Sequence, residues 1–228
     1  MSLDVRLDPA DVGLVVIDIQ NGFCHADGAR GVAFGPDSVV KPQAIIPEIL
    51  RLIELMRSVD SPIWFTRQVH FPDDQNRARR VIPSHLDRRG LKLELCHRGT
   101  WDAELMDEIG AAVRPDDEVI VKHRASAFYQ TRFEPELRMK GVQVLVVAGT
   151  TTSFCVDSTI RDAYARDFDV VVPAECVADT DDAAHEAVLA CVDRFHGVVT
   201  SIDELAEALG ASVPPPVVAP TDTVGGVS

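Results

Sequence analysis

Three side chains of complementary chemistry, Asp18, Lys122 and Cys155, lie far apart in the chain but in the same kind of place, the end of a short apolar run. Cys155 is the candidate nucleophile. The run Val144–Ala148 reads as a strand buried on both faces. Gly149 and the polar turn Thr150–Ser153 follow, and Phe154, Val156, Ile160 and Ala163 then open an apolar stripe at helical spacing. Cys155 therefore falls in the first turn of a helix, where free N–H groups and the helix dipole favour a thiolate. Read alone, it is equally well explained as a core cysteine, the commoner fate of that residue. Asp18 interrupts the apolar pattern at the end of Val12–Ile19, and Lys122 closes Asp117–Val121. Each has a plain reading too: a cap or ion-pair partner for Asp18, a solvated strand end for Lys122. Brought together, they supply a base, a cation and a nucleophile for attack on a carbonyl.

Whether they meet depends on the elements that carry them. Pro62–Thr66 reads as a second strand, Asp169–Val172 as a fifth and Val198–Thr200 as a short last one. Ile45, Ile46, Ile49, Leu52, Ile53 and Met56 mark one face of a helix over Lys41–Val59. Further helices are expected over Trp101–Ile109 with Thr100 as cap, Glu134–Met139 with Pro135 in its first turn, Asp181–Phe195, and Ser201–Leu209 capped by Ser201. Gln20–Val39 and Arg67–Gly99 read as irregular, the second partly a lid. Its arginines between Arg77 and Arg89 are either a solvated surface or a clamp for a substrate carboxylate.

Alternating strands and helices predict an α/β protein: a three-layer α/β/α, Rossmann-like fold with a mostly parallel sheet of about six strands. In the order 3-2-1-4-5-6, strands one and four flank the reversal of strand order, where sites of such folds lie. Asp18, Lys122 and Cys155 would then converge on one crevice. Residues 1–210 make up the expected domain, and the Pro-rich segment 211–228 an unperiodic tail.

Composition narrows the function. A net charge of −14 argues against nucleic acid and against anionic membrane surfaces. No apolar run approaches the ~20 residues that span a bilayer. The first residues lack a basic segment followed by an apolar core, and the five cysteines show no CxxC spacing. The expectation is a cytoplasmic protein without a zinc site or a disulfide framework.

The segments VVIDIQNGF (Val15–Phe23), RGTWDAEL (Arg98–Leu105), VIVKHRASAF (Val119–Phe128) and VVAGTTTSFCVDSTIRDA (Val146–Ala163) together resemble the isochorismatase-like cysteine hydrolases, in the family's order. The resemblance implies an Asp18–Lys122–Cys155 catalytic triad. It also implies a non-proline cis peptide between Thr150 and Thr151, with the Thr151 and Cys155 N–H groups forming an oxyanion hole. Phe23, Trp101 and Phe128 are candidate pocket residues, each equally explained as core. No metal or organic cofactor is implied. The family's nicotinamidases hold a metal with an Asp-x-His on the loop after the second strand. Here His70 matches, but Gln68 replaces the aspartate and Asn76 lies near the place of the second histidine.

The expected activity is that of an N-carbamoyl or ureido amidohydrolase, like N-carbamoylsarcosine, ureidoacrylate and biuret hydrolases. It would cleave a small amide or ureido C–N bond through a thioester and release ammonia. The alternatives are a nicotinamidase or isochorismatase-type hydrolase and a non-catalytic small-molecule binder. Redox use of the thiol, with Cys24 approaching in space, is a further one. Members of the family are commonly homodimers or homotetramers, and the same is expected here.

Overall fold

The computed structural model describes residue 3 and residues 5–71, 81–82 and 93–215. Most of the stretch Arg77–Arg89, and the tail beyond residue 215, lie outside the described residues. The strands are β1 (Val12–Ile17), β2 (Ile63–Gln68), β3 (Glu118–Lys122), β4 (Val144–Thr150), β5 (Asp169–Pro173), β6 (Val177–Ala178) and β7 (Val198–Thr200). They form one parallel sheet in the order β3-β2-β1-β4-β5-β7, with β6 pairing to the end of β4. The expected six-strand path is present. The additional strand, β6, has two residues and is too short to show a period.

The helices are α1 (Asn21–Cys24), α2 (Ala29–Phe34), α3 (Val40–Ala44), α4 (Ile46–Ser58), α5 (Asp107–Ala112), α6 (Phe133–Met139), α7 (Asp157–Tyr164), α8 (Asp182–Phe195) and α9 (Ile202–Leu209). Strand alternation divides them between two cores. Val12, Leu14 and Val16 of β1, with Val146 and Ala148 of β4, face α4 and α9 through Ile49, Leu52, Ile53 and Leu205. Val15, Ile17, Leu145 and Val147 face the other layer, where α6, α7 and α8 contribute Phe133, Leu137, Ile160, Ala163 and Val192. Because side chains alternate across a strand, one apolar run serves both layers. Each fully buried aliphatic side chain there contributes about 1.5–3 kcal/mol.

Three local expectations are corrected. Lys41–Val59 is two helices, since Pro47 in the first turn of α4 has no N–H to continue a helix from Gln43. Gln20–Val39 is not irregular but holds α1, α2 and a 3-10 turn, Pro36–Val39. Trp101–Ile109 is not one helix. A 3-10 turn, Trp101–Ala103, leads into an extended stretch before α5. There Asn21 N–H donates to Glu104 O at 3.0 Å and Met106 N–H to Ile19 O at 2.9 Å. Strand-like bonding to the segment after β1 overrides helical periodicity at Leu105. Among the described residues, no helix is long and apolar enough to cross a membrane.

Candidate active site

The sheet register brings the chemistry together. β1 ends at Ile17, which pairs with Thr66 of β2 on one side and Gly149 of β4 on the other. Gln68, the last residue of β2, pairs with Lys122, the last residue of β3. Asp18 follows β1 directly, with φ 51, a left-handed conformation that Asp tolerates better than most residues. Gly149 has φ +122, and a Cβ there would lie 2.2 Å from Ile17 O, so only glycine lets β4 approach β1 at this point.

Lys122 stands two strands from Asp18, and its long stem spans the intervening β2, as neighbouring strands lie ~4.8 Å apart. Its ammonium donates to Asp18 Oδ2 at 2.6 Å, Gln68 Oε1 at 2.8 Å, Ala125 O at 2.9 Å and Arg124 O at 3.2 Å. The other Asp18 oxygen accepts from the Thr66 hydroxyl at 2.6 Å. Both charged side chains are buried, Lys122 at 0% and Asp18 at 1% exposure. Burial alone would favour the neutral amine, but Asp18 and Cys155 beside it hold Lys122 above its ordinary range.

Cys155 lies close enough to Asp18 and Lys122 for each to act on its thiol. It does not begin an ordinary α-helix. Thr152–Val156 forms a π-helical turn, and α7 follows directly. The Thr159 hydroxyl donates to Cys155 O at 2.8 Å and accepts from Ala127 N–H at 3.1 Å, tying this turn to the segment after β3. The Ser153 N–H donates to Asp179 Oδ2 at 2.8 Å. The peptide bond between Thr150 and Thr151 is cis. Burial pushes the Cys155 thiol up to about 12, Lys122 pulls it down and Asp18 pushes it up again. Desolvation outweighs the pull of Lys122, and so holds the thiol above its ordinary range and leaves its proton for a base to remove.

Gln68 and Gln20, not singled out as site residues, brace this arrangement. The Gln68 N–H donates to Gln20 Oε1 at 2.7 Å, and Gln20 Nε2 donates to Gln68 O at 3.1 Å and Ala103 O at 2.8 Å. Gln68 Nε2 stands 3.4 Å from His70 Nε2. The Gln68 carbonyl oxygen, where a metal-binding aspartate stands in nicotinamidases, is thus taken up by Lys122. Among the described residues no group of three His, Cys, Asp or Glu side chains is placed to hold a metal.

Cys155, Thr150 and Thr151 border a cavity of ≈ 640 Å³ whose wall also includes Phe23, Arg30, Phe34, His70, Arg124 and Phe154. Of the three candidate pocket aromatics, Phe23 lies on that wall. Trp101 is not on it; it is 49% exposed and packs edge-on against His25. Phe128 is core instead, against Phe133 and Phe168. Arg30 and Phe34, in a stretch that carries no periodic signal, were not legible as wall residues.

A doubly wound parallel sheet brings a carboxylate, a lysine and a cysteine together where strand order reverses, the layout of an α/β hydrolase. Residues 12–204 match the isochorismatase domain, and the chain belongs to that family. It is 30% identical over 216 residues to ureidoacrylate amidohydrolase RutB of Methylobacterium radiotolerans, covering 90% of this chain and 82% of that protein. It is 29% identical over 202 residues to nicotinamidase 3 of Arabidopsis thaliana, covering 86% and 87%. A cysteine hydrolase structure from Pseudomonas syringae pv. phaseolicola superposes with a TM-score of 0.78 at 22% identity, covering 92% of this chain and 97% of that one, which speaks for the fold.

Proposed function

We propose that the protein is a cysteine-dependent amidohydrolase that cleaves a C–N bond in a small amide or N-carbamoyl (ureido) compound. The observation that carries this reading is the placement of buried Cys155, on the cavity wall, beside the buried Asp18–Lys122 pair. With the thiol protonated at rest, proton removal and attack are coupled. Asp18 takes the Cys155 proton as sulfur attacks the carbonyl carbon, and Lys122 holds the carboxylate and offsets the charge growing on sulfur. The Thr151 and Cys155 N–H groups receive the tetrahedral oxyanion.

Collapse expels an amine or ammonia, which takes the proton from Asp18 and leaves a thioester, or a thiocarbamate from a ureido substrate. Asp18 then takes a proton from water, which attacks the same carbonyl and releases Cys155 as thiol. A carbamate product decomposes to carbon dioxide and ammonia if the amine left first, or to carbon dioxide and the amine if ammonia left first, so ammonia appears whichever C–N bond of a urea breaks. Similarity to a ureidoacrylate amidohydrolase supports the ureido class. Similarity to a nicotinamidase favours a second reading, nicotinamide hydrolysis, which the engagement of Gln68 by Lys122 weighs against.

The reading extends to a homodimer or homotetramer acting in a reducing cytoplasm, which the five free cysteines support. It places the catalytic unit in residues 1–210, followed by a tail at 211–228. The test is ammonia release from N-carbamoyl amino acids, ureidoacrylate, biuret and nicotinamide, beside a Cys155→Ala control. Release from a carbamoyl compound that disappears in the control supports the reading. Undiminished release in the control refutes it, and release from nicotinamide alone moves the substrate class.

A further inference from the structure

Asp179 directly follows β6, which pairs with the end of β4 at Gly149↔Val177 and Thr150↔Ala178. The Thr150 hydroxyl adds a bond to Ala178 O at 3.2 Å. Asp179 is buried, yet it belongs to the wall of the cavity that holds Cys155. Its Oδ2 accepts the Ser153 N–H at 2.8 Å and its Oδ1 the Asp181 N–H at 3.2 Å. Asp181 in turn caps α8 by accepting the Ala184 N–H at 3.1 Å. The Asp179 carboxylate therefore links the turn that carries Cys155 to the start of α8. Burial draws Arg30 below its ordinary range, and Asp179 is the largest charge opposing this.

Ser153 lies inside the π-helical turn Thr152–Val156. The Phe154 and Val156 N–H groups both turn back to Thr151 O, at 3.0 Å and 3.2 Å, whereas the Ser153 N–H leaves the turn for Asp179. π-Helical geometry is rare and occurs mostly as single turns, so a turn of this kind gains from support outside its own backbone. A bond from a backbone N–H to a carboxylate is about twice as strong as one to a neutral acceptor. Burying a carboxylate is costly unless it is hydrogen-bonded, and here both of its oxygens are engaged by backbone N–H groups. A negative charge beside a forming oxyanion would oppose it, and Arg30 offsets that charge.

We infer that Asp179 is a positioning residue: by holding the Ser153 N–H it fixes the turn so that the Thr151 and Cys155 N–H groups face the oxygen of the attacked carbonyl. This inference rests on the amidohydrolase reading for its reaction and adds a residue to that site. Asp179 acts through the turn and exchanges no proton with the substrate.

The test compares two reactions of Cys155 in the wild-type chain, Asp179→Ala and Asp179→Asn. Turnover of an amide or ureido substrate passes through an oxyanion, whereas alkylation by iodoacetamide, a displacement of iodide by sulfur, does not. Asp179→Ala should lower kcat about 30-fold or more, since misplaced oxyanion donors are costly, and leave KM within about threefold. Its alkylation rate should stay within about threefold of the wild type, because Lys122 and Asp18 are the charges that act on the thiol. Asp179→Asn keeps an acceptor for the Ser153 N–H and should recover most of kcat. An unchanged kcat in Asp179→Ala overturns the inference while leaving the amidohydrolase reading intact. So does a parallel loss of turnover and alkylation, which marks a collapsed turn, or an Asp179→Asn as impaired as Asp179→Ala. If Asp179→Ala does not fold, Asp179→Ser, polar but shorter in reach, takes its place with the same readings. If the wild type hydrolyses no substrate, butyraldehyde decides. Sulfur adds to its carbonyl carbon and the thiol proton passes to the oxygen, giving a thiohemiacetal that protects Cys155 from alkylation. Protection that needs about tenfold more aldehyde in Asp179→Ala, and that Asp179→Asn restores, supports the positioning role even as the reaction falls. Equal protection in the three proteins, or none in the wild type, overturns it.

Discussion

Replacing Lys122 by methionine should destabilise the fold far more than loss of a surface ion pair does. Lys122 and Asp18 are 0% and 1% exposed, with Nζ and Oδ2 2.6 Å apart. In Lys122→Met the Asp18 carboxylate keeps the Thr66 hydroxyl on Oδ1 and loses its partner on Oδ2. Gln68 Oε1, Arg124 O and Ala125 O lose the same donor. Breaking a buried pair from one side costs about 3–5 kcal/mol, whereas an exposed pair contributes about 0–1 kcal/mol. For a chain of this length 1 kcal/mol shifts Tm by about 2–4 °C, so Tm should fall by about 6–20 °C. Asp18→Asn strands the ammonium in the same way. The double variant Asp18→Asn/Lys122→Met removes both charges and should be more stable than the sum of the single losses implies, by about 1–3 kcal/mol. Thermal and urea unfolding of the four proteins, followed by circular dichroism, measures the cycle. A loss below about 1 kcal/mol in Lys122→Met, or additive single losses, would refute a buried, coupled pair.

Gln68→Ala removes an acceptor from Lys122 and should cost about 1.5–3 kcal/mol, the range for a hydrogen bond to a charged group, read by urea unfolding. Gly149→Ala should cost about 3 kcal/mol or more, since the added Cβ meets Ile17 O at 2.2 Å on a backbone at φ +122; soluble yield and Tm report it. Burial pushes the Cys24 thiol from 9.0 up to about 12, so its protonated form favours the folded state. That contribution, up to about 4 kcal/mol, is complete below pH 9 and is lost as pH rises through about 12. Cys24→Ala should flatten the alkaline decline of stability measured by unfolding at several pH values. Alkylation of Cys155 by iodoacetamide should quicken across pH 6–9 without levelling, since the thiol is pushed up to about 12; a plateau near neutrality contradicts that.

What the sequence disclosed followed from where periodicity and burial coincide. Strands β1 and β4 are apolar runs buried on both faces, and their flanking residues, Asp18 and the Cys155 turn, could be placed at a common crevice before any coordinates. Lys122 was visible because a lysine closing a strand is conspicuous in a chain with four lysines. The bracing of the site was not visible. Gln20 and Gln68 act through backbone atoms of segments 48 and 83 residues away in sequence, and no spacing encodes that. Arg30 was hidden for the same reason, because its partner Thr180 is 150 residues distant. Phe128 misled because an aromatic beside a site motif reads alike whether it faces the cavity or, as here, the core. The upward push on the Cys155 thiol was beyond a one-dimensional reading, since desolvation depends on everything packed around the sulfur.

The central claim is that Cys155 forms a covalent bond to the carbonyl carbon of the substrate. Rapid acid quenching during turnover of a ureido substrate, followed by peptide mass spectrometry, tests it directly. The expected result is a carbamoyl or acyl adduct on Cys155 that is absent from the Cys155→Ala protein, which also releases no ammonia. Turnover that persists in Cys155→Ala, or an adduct borne by another residue, would contradict the claim.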